Sequence, residues 1–323
     1  MRRVRALTME VRVDSEAGLQ RRIWSVVALT SLGWGTAGVM IRVAFEEGLE
    51  PFQVVAFTSA IAAVGVLVWM AVVRRGTKID AVTWRVGAVM SVISVTVPFV
   101  TRNVALQYAS AGFIGLAAAL IPLATAIAAH LFLPDEPLQS ATIVGFVVGL
   151  AGVAVLVLSG DAGIAEGGRP GIAGGLSLIG VVSVALGAVY AKKHAGRYSP
   201  IGLSAVQFML GSVITAVLMF IVEGAPSNTT GVGWASLAYV GILSTFMPVA
   251  LYYWLIRHVT VTYSAIIGYI IPLVAVVVGV LVLDEKLQPG IIVGGSLILA
   301  GVVITDRIRL RSLQEGGVTG LPS

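Results

Sequence analysis

Residues 103–123 read NVALQYASAGFIGLAAALIPL, and residues 253–273 read YWLIRHVTVTYSAIIGYIIPL. The second stretch begins 150 positions after the first, and Pro98 and Pro248 upstream keep the same separation. Further along, the sequence EPLQ from Glu136 is matched by EKLQ from Glu285. The chain therefore contains two copies of one hydrophobic unit, and in membrane proteins a binding site commonly lies at the interface between such copies.

The composition is that of a membrane protein. The chain of 323 residues is 57% hydrophobic and 11% charged, with a mean hydropathy of +0.97. A water-soluble domain of this length needs a more charged surface than these residues can supply. A surface that faces lipid removes that requirement.

Ten apolar runs are long enough to cross the hydrocarbon core as helices, which takes about 20 residues. They are Ile23–Phe45, Phe52–Val73, Val86–Tyr108, Ser110–Leu133, Gln139–Ser159, Gly171–Ala191, Pro200–Val222, Trp234–Ile256, Thr262–Leu283 and Pro289–Thr305. The strands of a membrane barrel would be shorter and would alternate in polarity. The sequence therefore predicts an all-α integral membrane protein with ten transmembrane helices.

The basic residues predict the orientation. If the N-terminus is cytoplasmic, only Arg42, Arg102, Arg169 and Lys286 of the 21 Lys and Arg residues lie toward the outside. Positive charge collects on the cytoplasmic side of membrane proteins. We therefore expect a multi-pass protein of the cell inner membrane with both termini in the cytoplasm. The pI of about 9.7 is explained in this way without nucleic-acid binding.

Five runs fall in each copy, and an odd number makes the second copy enter the membrane from the opposite side. The expected organisation is a cytoplasmic segment, two inverted five-helix repeats joined by a linker, and a cytoplasmic tail. Their bounds are residues 1–22, 23–159, 160–170, 171–306 and 307–323. Inverted repeats are a structural basis of alternating access in transporters.

Several of these features resemble one family. Trp34-Gly35 in the first run and a repeated pattern of Ala-Leu, Pro-Leu, Glu-x-Leu and Ala-Gly resemble the bacterial drug/metabolite transporter superfamily, in particular its EamA-type proteins. The resemblance covers residues 23–306. It implies that spans one, three, four, six, eight and nine line a central cavity, and that the cargo is an amino acid, including aromatic ones, or a related metabolite. Ser183-Val184 replaces Trp34-Gly35 in the second copy.

No Asp or Glu lies near the middle of any run. A carboxylate there would be costly and would indicate a site for cations or protons. Its absence favours neutral or zwitterionic cargo, so we expect export of amino acids or similar small molecules. Efflux of lipophilic drugs by the same fold is the alternative. A receptor or structural membrane protein without transport activity is a third reading.

Duplicated prolines mark expected bends. Pro122 and Pro272 lie in the fourth and ninth runs, and Pro98 and Pro248 in the third and eighth. A proline inside a helix removes one backbone hydrogen bond and bends the helix. These prolines are candidate gating positions, although proline is also common in membrane helices. The small residues Ala118 and Gly268 are repeat mates that either leave room for substrate or allow close packing.

Polar residues lie on both sides of Pro98 and Pro248, in the third and eighth runs, at helical spacing. Candidate substrate-binding residues in these two runs are Ser94, Arg102, Asn103, Ser244 and Tyr252. Arg102 could bind a carboxylate. The alternatives are that it extends toward the membrane surface or pairs with Glu46 or Glu47. Aromatic and hydroxyl candidates elsewhere are Trp34, Ser183, Tyr190 and Tyr269, which could also be packing residues. Arg42 is expected to pair with Glu46 one turn away.

Other chemistry finds little support. The chain has no cysteine, and its three histidines are far apart without carboxylates at metal-ligand spacing. It has no phosphate-binding GxxxxGK[ST] segment. We therefore expect no enzyme activity, no cofactor and no metal. The expected partners are a small-molecule substrate and the lipid bilayer, with a monomer as the first hypothesis and a dimer as the alternative.

Overall fold

A computed structural model describes residues 2–73, 79–133, 140–160, 163–164, 167–255 and 266–315. Within these ranges the regular structure is helical, so the all-α class is confirmed. The helices are α1 (Arg2–Glu46), α2 (Pro51–Val73), α3 (Ala81–Met90), α4 (Val97–Ala105), α5 (Ala111–Ala118), α6 (Ile121–Phe132), α7 (Ser140–Leu158), α8 (Pro170–Lys193), α9 (Pro200–Val222), α10 (Gly231–Gly241), α11 (Met247–Leu255), α12 (Ile266–Leu283) and α13 (Pro289–Glu315). The predicted boundaries at Gln139, Ile256 and Thr262 lie outside the described residues.

Seven helical segments of the described chain are long and apolar enough to cross a membrane. They are Gly18–Glu46, Pro51–Val73, Ala81–Ala105, Ala111–Phe132, Pro170–Lys193, Pro200–Val222 and Gly231–Tyr252. Three shorter apolar segments are Thr142–Leu158, Ile270–Leu283 and Pro289–Thr305. Each segment overlaps one of the ten predicted runs. That the three shorter ones also cross the membrane stays a prediction. Large apolar side chains cover the outside, such as Leu281 with 76% exposure, as a lipid-facing surface requires.

Side-chain caps fix where several helices begin. Asp80 accepts a hydrogen bond from the backbone N–H of Thr83 at 2.8 Å, and Ser110 accepts one from Phe113 at 3.0 Å. Ser199 and Thr230 cap α9 and α10 in the same way. A capping oxygen satisfies one of the free N–H groups in the first helical turn. These four residues therefore define where α3, α5, α9 and α10 begin.

The third and eighth predicted runs share an irregular segment. A π-helical segment covers Ser91–Thr96 between α3 and α4, and another covers Ile242–Phe246 between α10 and α11. Each ends one residue before the Val-Pro or Met-Pro pair that contains Pro98 or Pro248. Short π-helical segments inside α-helices occur often at functional sites. Pro98 and Pro248 therefore follow matching backbone irregularities.

The fourth and ninth predicted runs differ. The fourth run is divided into α5 and α6, with Pro122 in the first turn of α6. The ninth run corresponds to α12, which continues through Pro272. At the division, the backbone N–H groups of Ala119 and Leu120 bond to carbonyl oxygens three residues back, at 3.0 and 3.1 Å. Such tightened bonds are typical of a helix end. Repeat mates therefore have different backbone structures here.

Glycines bring α7 and α13 into close contact. A β-carbon at Gly152 would lie 2.5 Å from the carbonyl oxygen of Gly294, and one at Gly145 would meet the carbonyl oxygen of Gly301. Only a hydrogen at these positions lets the two backbones approach so closely. This packing lies within the chain.

Candidate functional site

Two candidate aromatic residues lie together. The ring centroids of Trp34 on α1 and Tyr252 on α11 are 5.8 Å apart, with 51° between the ring planes. Gly33, the residue before Trp34, packs against Pro248, which lies one turn before Tyr252 on α11. A β-carbon at Gly33 would lie 2.7 Å from the Pro248 ring. The pair forms a tilted aromatic contact of the kind that stabilises packing and can also present a face to a ligand. Tyr269, the third aromatic candidate, has a side chain outside the described residues.

A second contact of α1, between two hydroxyl groups, was not predicted from the sequence. The hydroxyl oxygens of Thr36 on α1 and Tyr239 on α10 are 3.0 Å apart. Thr36 lies two residues after Trp34, and Tyr239 lies three after Ser236 on the same face of α10. The spacing of three between Ser236 and Tyr239 places two polar side chains on one face of α10, and this was the signal in the sequence. It could not identify the partner helix.

Two serine candidates meet where α8 crosses the first π-helical segment. Ser183 donates a hydrogen bond from its Oγ to the carbonyl oxygen of Ile93 at 2.7 Å. Ser94 lies against Gly187, one turn along α8, and its Oγ is 3.6 Å from the sulfur of Met90. A π-helical segment leaves carbonyl groups less regularly paired, and here Ser183 satisfies one of them. The predicted serines therefore stabilise the irregular segment.

Arg102 and Asn103 present buried polar atoms. The guanidinium carbon of Arg102 lies 5.1 Å from the ring centroid of Phe99, and Asn103 Nδ2 donates to the Phe99 carbonyl oxygen at 2.8 Å. Among the described residues, no group bonds to Arg102 Nε, to Asn103 Oδ1 or to the buried Ser244 hydroxyl. Buried polar atoms are nearly always paired in proteins, so each of these is available to a ligand or to water. They are the strongest binding candidates in this part of the chain.

The remaining candidates are more dispersed. Tyr190 packs beside Met90 and Leu203, with its ring centroid 4.5 Å from that of His194. Ala118 is half-buried at the end of α5, and no heavy atom of the described residues lies within 4 Å of a β-carbon placed at Gly268. Pro122 is exposed, whereas Pro272 is buried. Gly268 therefore borders open space, and Tyr190 belongs to a separate packing cluster.

The expected pairing of Arg42 with Glu46 is wrong. Arg42 instead donates from Nη1 to the carbonyl oxygens of Leu106 at 2.9 Å and Ala109 at 3.5 Å. These carbonyls follow the end of α4, where backbone acceptors have no partner within the helix. A guanidinium is attracted to this negative end of a helix dipole as well as to a carboxylate. The spacing of four residues between Arg42 and Glu46 therefore predicted the wrong partner.

A cavity of about 380 Å³ lies where the middle of α1 meets the end of α11. Its walls contain Arg21, Arg22, Ser25, Leu251 and Trp254, with Val26 also contributing. The lining combines two cations and a hydroxyl with apolar surface. Such a mixture can accept a molecule that has both polar and apolar parts.

An all-helical chain with apolar membrane-length segments and buried polar groups between them has the construction of a multi-pass membrane transporter. Residues 22–158 and again residues 172–305 match the model of the EamA-like transporter family. The chain therefore belongs to the EamA-like transporter family, and the predicted family assignment is confirmed.

Similar proteins agree with this class. An uncharacterized transporter of Archaeoglobus fulgidus is 25% identical over 88% of this chain and 99% of its own length. A probable terminal-alkyne amino-acid exporter of Streptantibioticus cattleyicolor is 24% identical over 94% of this chain and 99% of its own length. A protein crystal structure with 19% identity superposes with a TM-score of 0.60 over 88% of this chain and 96% of that chain. This last similarity supports the fold alone.

Proposed function

We propose that this protein exports amino acids or related small metabolites across the bacterial inner membrane as a secondary transporter, by alternating access around a central cavity. The observation that carries the proposal is the set of buried polar atoms of Arg102, Asn103 and Ser244 that have no hydrogen-bond partner among the described residues. They occur in helices whose middle regions have no carboxylate. A zwitterion would find a cation and hydrogen-bonding groups there, whereas a lipophilic cation would find no counter-charge.

The glycine contacts of α7 and α13 support the inverted repeat. Gly145 and Gly294 are repeat mates, and so are Gly152 and Gly301. Gly145 packs on Gly301 and Gly152 packs on Gly294, so exchanging the two copies converts one contact into the other. The partner residue number decreases as the first increases, which makes the helices antiparallel. Antiparallel helices related by a two-fold axis have that axis perpendicular to them. In a membrane, such an axis lies in the membrane plane, as inverted repeats require.

In this proposal the chain crosses the membrane ten times, with both termini in the cytoplasm. The cavity that Arg21 and Arg22 line then lies at the cytoplasmic side, where cargo would enter for export. The similar amino-acid exporter supports the cargo class. Arg102 would bind the cargo carboxylate, and Trp34 and Tyr252 would contact its side chain. We expect a monomer to be sufficient, because the halves contact each other within one chain.

The function is tested by reconstitution. Purified protein in liposomes should exchange labelled neutral amino acids in a counterflow assay, with and without a proton gradient. Empty liposomes are the control. Movement of quaternary ammonium dyes with no movement of amino acids would contradict the proposal and favour drug efflux. Movement of neither would favour a protein without transport activity.

Arg102 provides a sharper test of the cargo site. Replacing Arg102 with Ala should reduce counterflow of amino acids by about tenfold while flux of the matching amines changes little, because one charge-assisted hydrogen bond to a carboxylate is lost. Arg169→Ala is the matched control, since Arg169 is an exposed arginine beside Tyr108. Equal losses for acids and amines would show that Arg102 supports the fold and does not select cargo.

A further inference from the structure

A carboxylate of the second half holds a helix of the first half. Glu285 follows α12 and is only 9% exposed. Its two carboxylate oxygens accept hydrogen bonds from the backbone N–H groups of Ala111 at 2.6 Å and Gly112 at 3.2 Å. These are free N–H groups of the first turn of α5. Glu285 thus closes the start of α5 from a position 174 residues away.

The surroundings of Glu285 complete the contact. Arg42 of α1 bonds to carbonyl oxygens just before α5, and its positive charge stabilises the ionised form of Glu285. The Ser110 hydroxyl and the turn at Gly279 of α12 border the carboxylate. Arg42 is the charged group that acts on it from the neighbouring helices that the structure describes. Asp284 and Lys286 flank it on its own loop.

A second carboxylate makes the same kind of contact. Glu223, after the end of α9, accepts hydrogen bonds from the backbone N–H groups of Phe52 at 3.0 Å and Gln53 at 2.9 Å, in the first turn of α2. Gln53 returns a bond from Nε2 to the Gly224 carbonyl oxygen at 3.3 Å. Both carboxylates belong to the second half, both helices belong to the first, and both contacts lie on the outer side in the proposed orientation.

The packing beneath Glu285 differs along α5 and α12. A β-carbon at Gly115 would lie 2.6 Å from Ala275, and one at Gly112 would lie 3.2 Å from Val276, so the outer parts touch closely. Toward the other end of α12, Gly268 borders open space. Among the described residues, α5 and α12 are therefore in close contact near Glu285, whereas a β-carbon at Gly268 would have no neighbour within 4 Å.

We propose that Glu285 is a positioning residue for transport that latches the outer ends of α5 and α12 together, so that this structure is closed to the outside. Glu223 is the second latch, between α9 and α2. Release of cargo outward requires the Glu285 contact to break. This inference rests on the proposed alternating access and orientation.

The absence of cysteine in the chain makes this testable. Ala118 lies three residues beyond Gly115, beneath the close contact of α5 with α12, and is half-buried. Ala118→Cys therefore supplies a single thiol. Its reaction with a membrane-impermeant maleimide is measured in oriented vesicles, from the outside and separately from the inside. In the latched state the thiol should react slowly from the outside.

Removing the latch should change this access. Glu285→Ala should raise the outside labelling rate by at least about fivefold and lower the inside rate, because a typical coupling between two sites changes an equilibrium by 5 to 150-fold. Glu285→Asp keeps the charge but is one carbon shorter. It should produce a smaller change in the same direction. Lys286→Ala is the matched control, since Lys286 is an exposed long side chain on the same loop, and should leave both rates unchanged.

Equal outside rates in the parent and in both Glu285 variants would overturn the latch. A rise from both sides would also overturn it, because a gate exchanges one access for the other. Labelling does not involve cargo, so the result is separate from the counterflow assay. A changed labelling rate together with absent amino-acid flux would support the latch and contradict the proposed cargo.

Discussion

The two halves of the chain agree in one pair of equivalent helices and differ in another. The predicted third and eighth runs both have a π-helical segment that ends just before Pro98 or Pro248. The predicted fourth run is divided before Pro122, while α12 continues through Pro272. Repeated sequence therefore does not ensure repeated structure.

The surroundings also differ at the second pair. A proline ring conflicts with the carbonyl four residues earlier, which belongs to Ala118 in one half and to Gly268 in the other. Among the described residues, a β-carbon placed at Gly268 meets no heavy atom within 4 Å, and Ala118 is half-buried. The start of α5 is also bound by Glu285 of the other half. The comparison teaches that a duplicated proline does not by itself decide whether a helix breaks.

The largest expected effect concerns the glycine contact between α7 and α13, to which the two halves contribute equivalent residues. Gly301→Ala should lower the free energy of unfolding by about 2 kcal/mol, because a methyl group would press on the backbone of Gly145 and Gly149. Gly152→Ala, the repeat mate, should have a similar effect. Thermal unfolding in detergent measures both.

Gly175→Ala is the control for these substitutions. A β-carbon at Gly175 meets no heavy atom within 4 Å, so alanine should stabilise the helix by about 0.5 kcal/mol. If Gly152→Ala were harmless while Gly301→Ala were not, the symmetric contact would be contradicted, and with it the support for an inverted repeat.

Replacing Pro122 or Pro272 should have the next largest effect, and the two substitutions compare the halves directly. Pro122→Ala should slow counterflow by about tenfold, as a shift of roughly 1.4 kcal/mol in a gating equilibrium would do, with little change in substrate affinity. Alanine restores the missing N–H and favours one continuous helix across the division. Pro272→Ala should slow flux less, because α12 is already continuous.

Flux assays at saturating and limiting cargo concentrations distinguish rate from affinity in the two proline variants. Equal flux in both variants and the parent would remove the gating role of these prolines. A larger loss for Pro272→Ala would show that the continuous helix is the one that moves.

The fold was largely predictable from the sequence because its determinants are local. Apolar runs, proline positions and capping residues such as Ser110 specify helices and their ends. The candidate site was less predictable, since it depends on contacts between distant residues. Thr36 and Tyr239 are 203 positions apart, and Ser183 is 90 positions from Ile93. Local spacing even misled for Arg42, whose carbonyl partners follow another helix. One sequence gives no information on which helices are neighbours.

The smallest expected effect concerns the pH dependence of the latch that Glu285 of the second half forms with α5 of the first half. Burial raises the pKa of Glu285 above its ordinary value of 4.5, although the hydrogen bonds from Ala111 and Gly112 and the charge of Arg42 oppose this. When the outer ends separate, water reaches the carboxylate and its pKa returns toward the ordinary value. The latched state therefore binds the proton more tightly than the open state does. By linkage, acid favours the latched state, and this gain is lost as the pH rises through the raised pKa.

Outside labelling of Ala118→Cys should consequently slow by about twofold as the external pH is lowered from neutral toward 5, beyond the slowing that the thiol itself shows. The same measurement with Glu285→Ala added provides that correction, because the thiol titrates in both variants and Glu285 in only one. Glu223 would add to the effect with the same sign, since burial also raises its pKa. The ratio of the two labelling rates removes the contribution of Glu223 as well. A ratio that does not change with pH would show that Glu285 keeps one protonation state in both conformations, and that the latch acts through its hydrogen-bonding geometry alone.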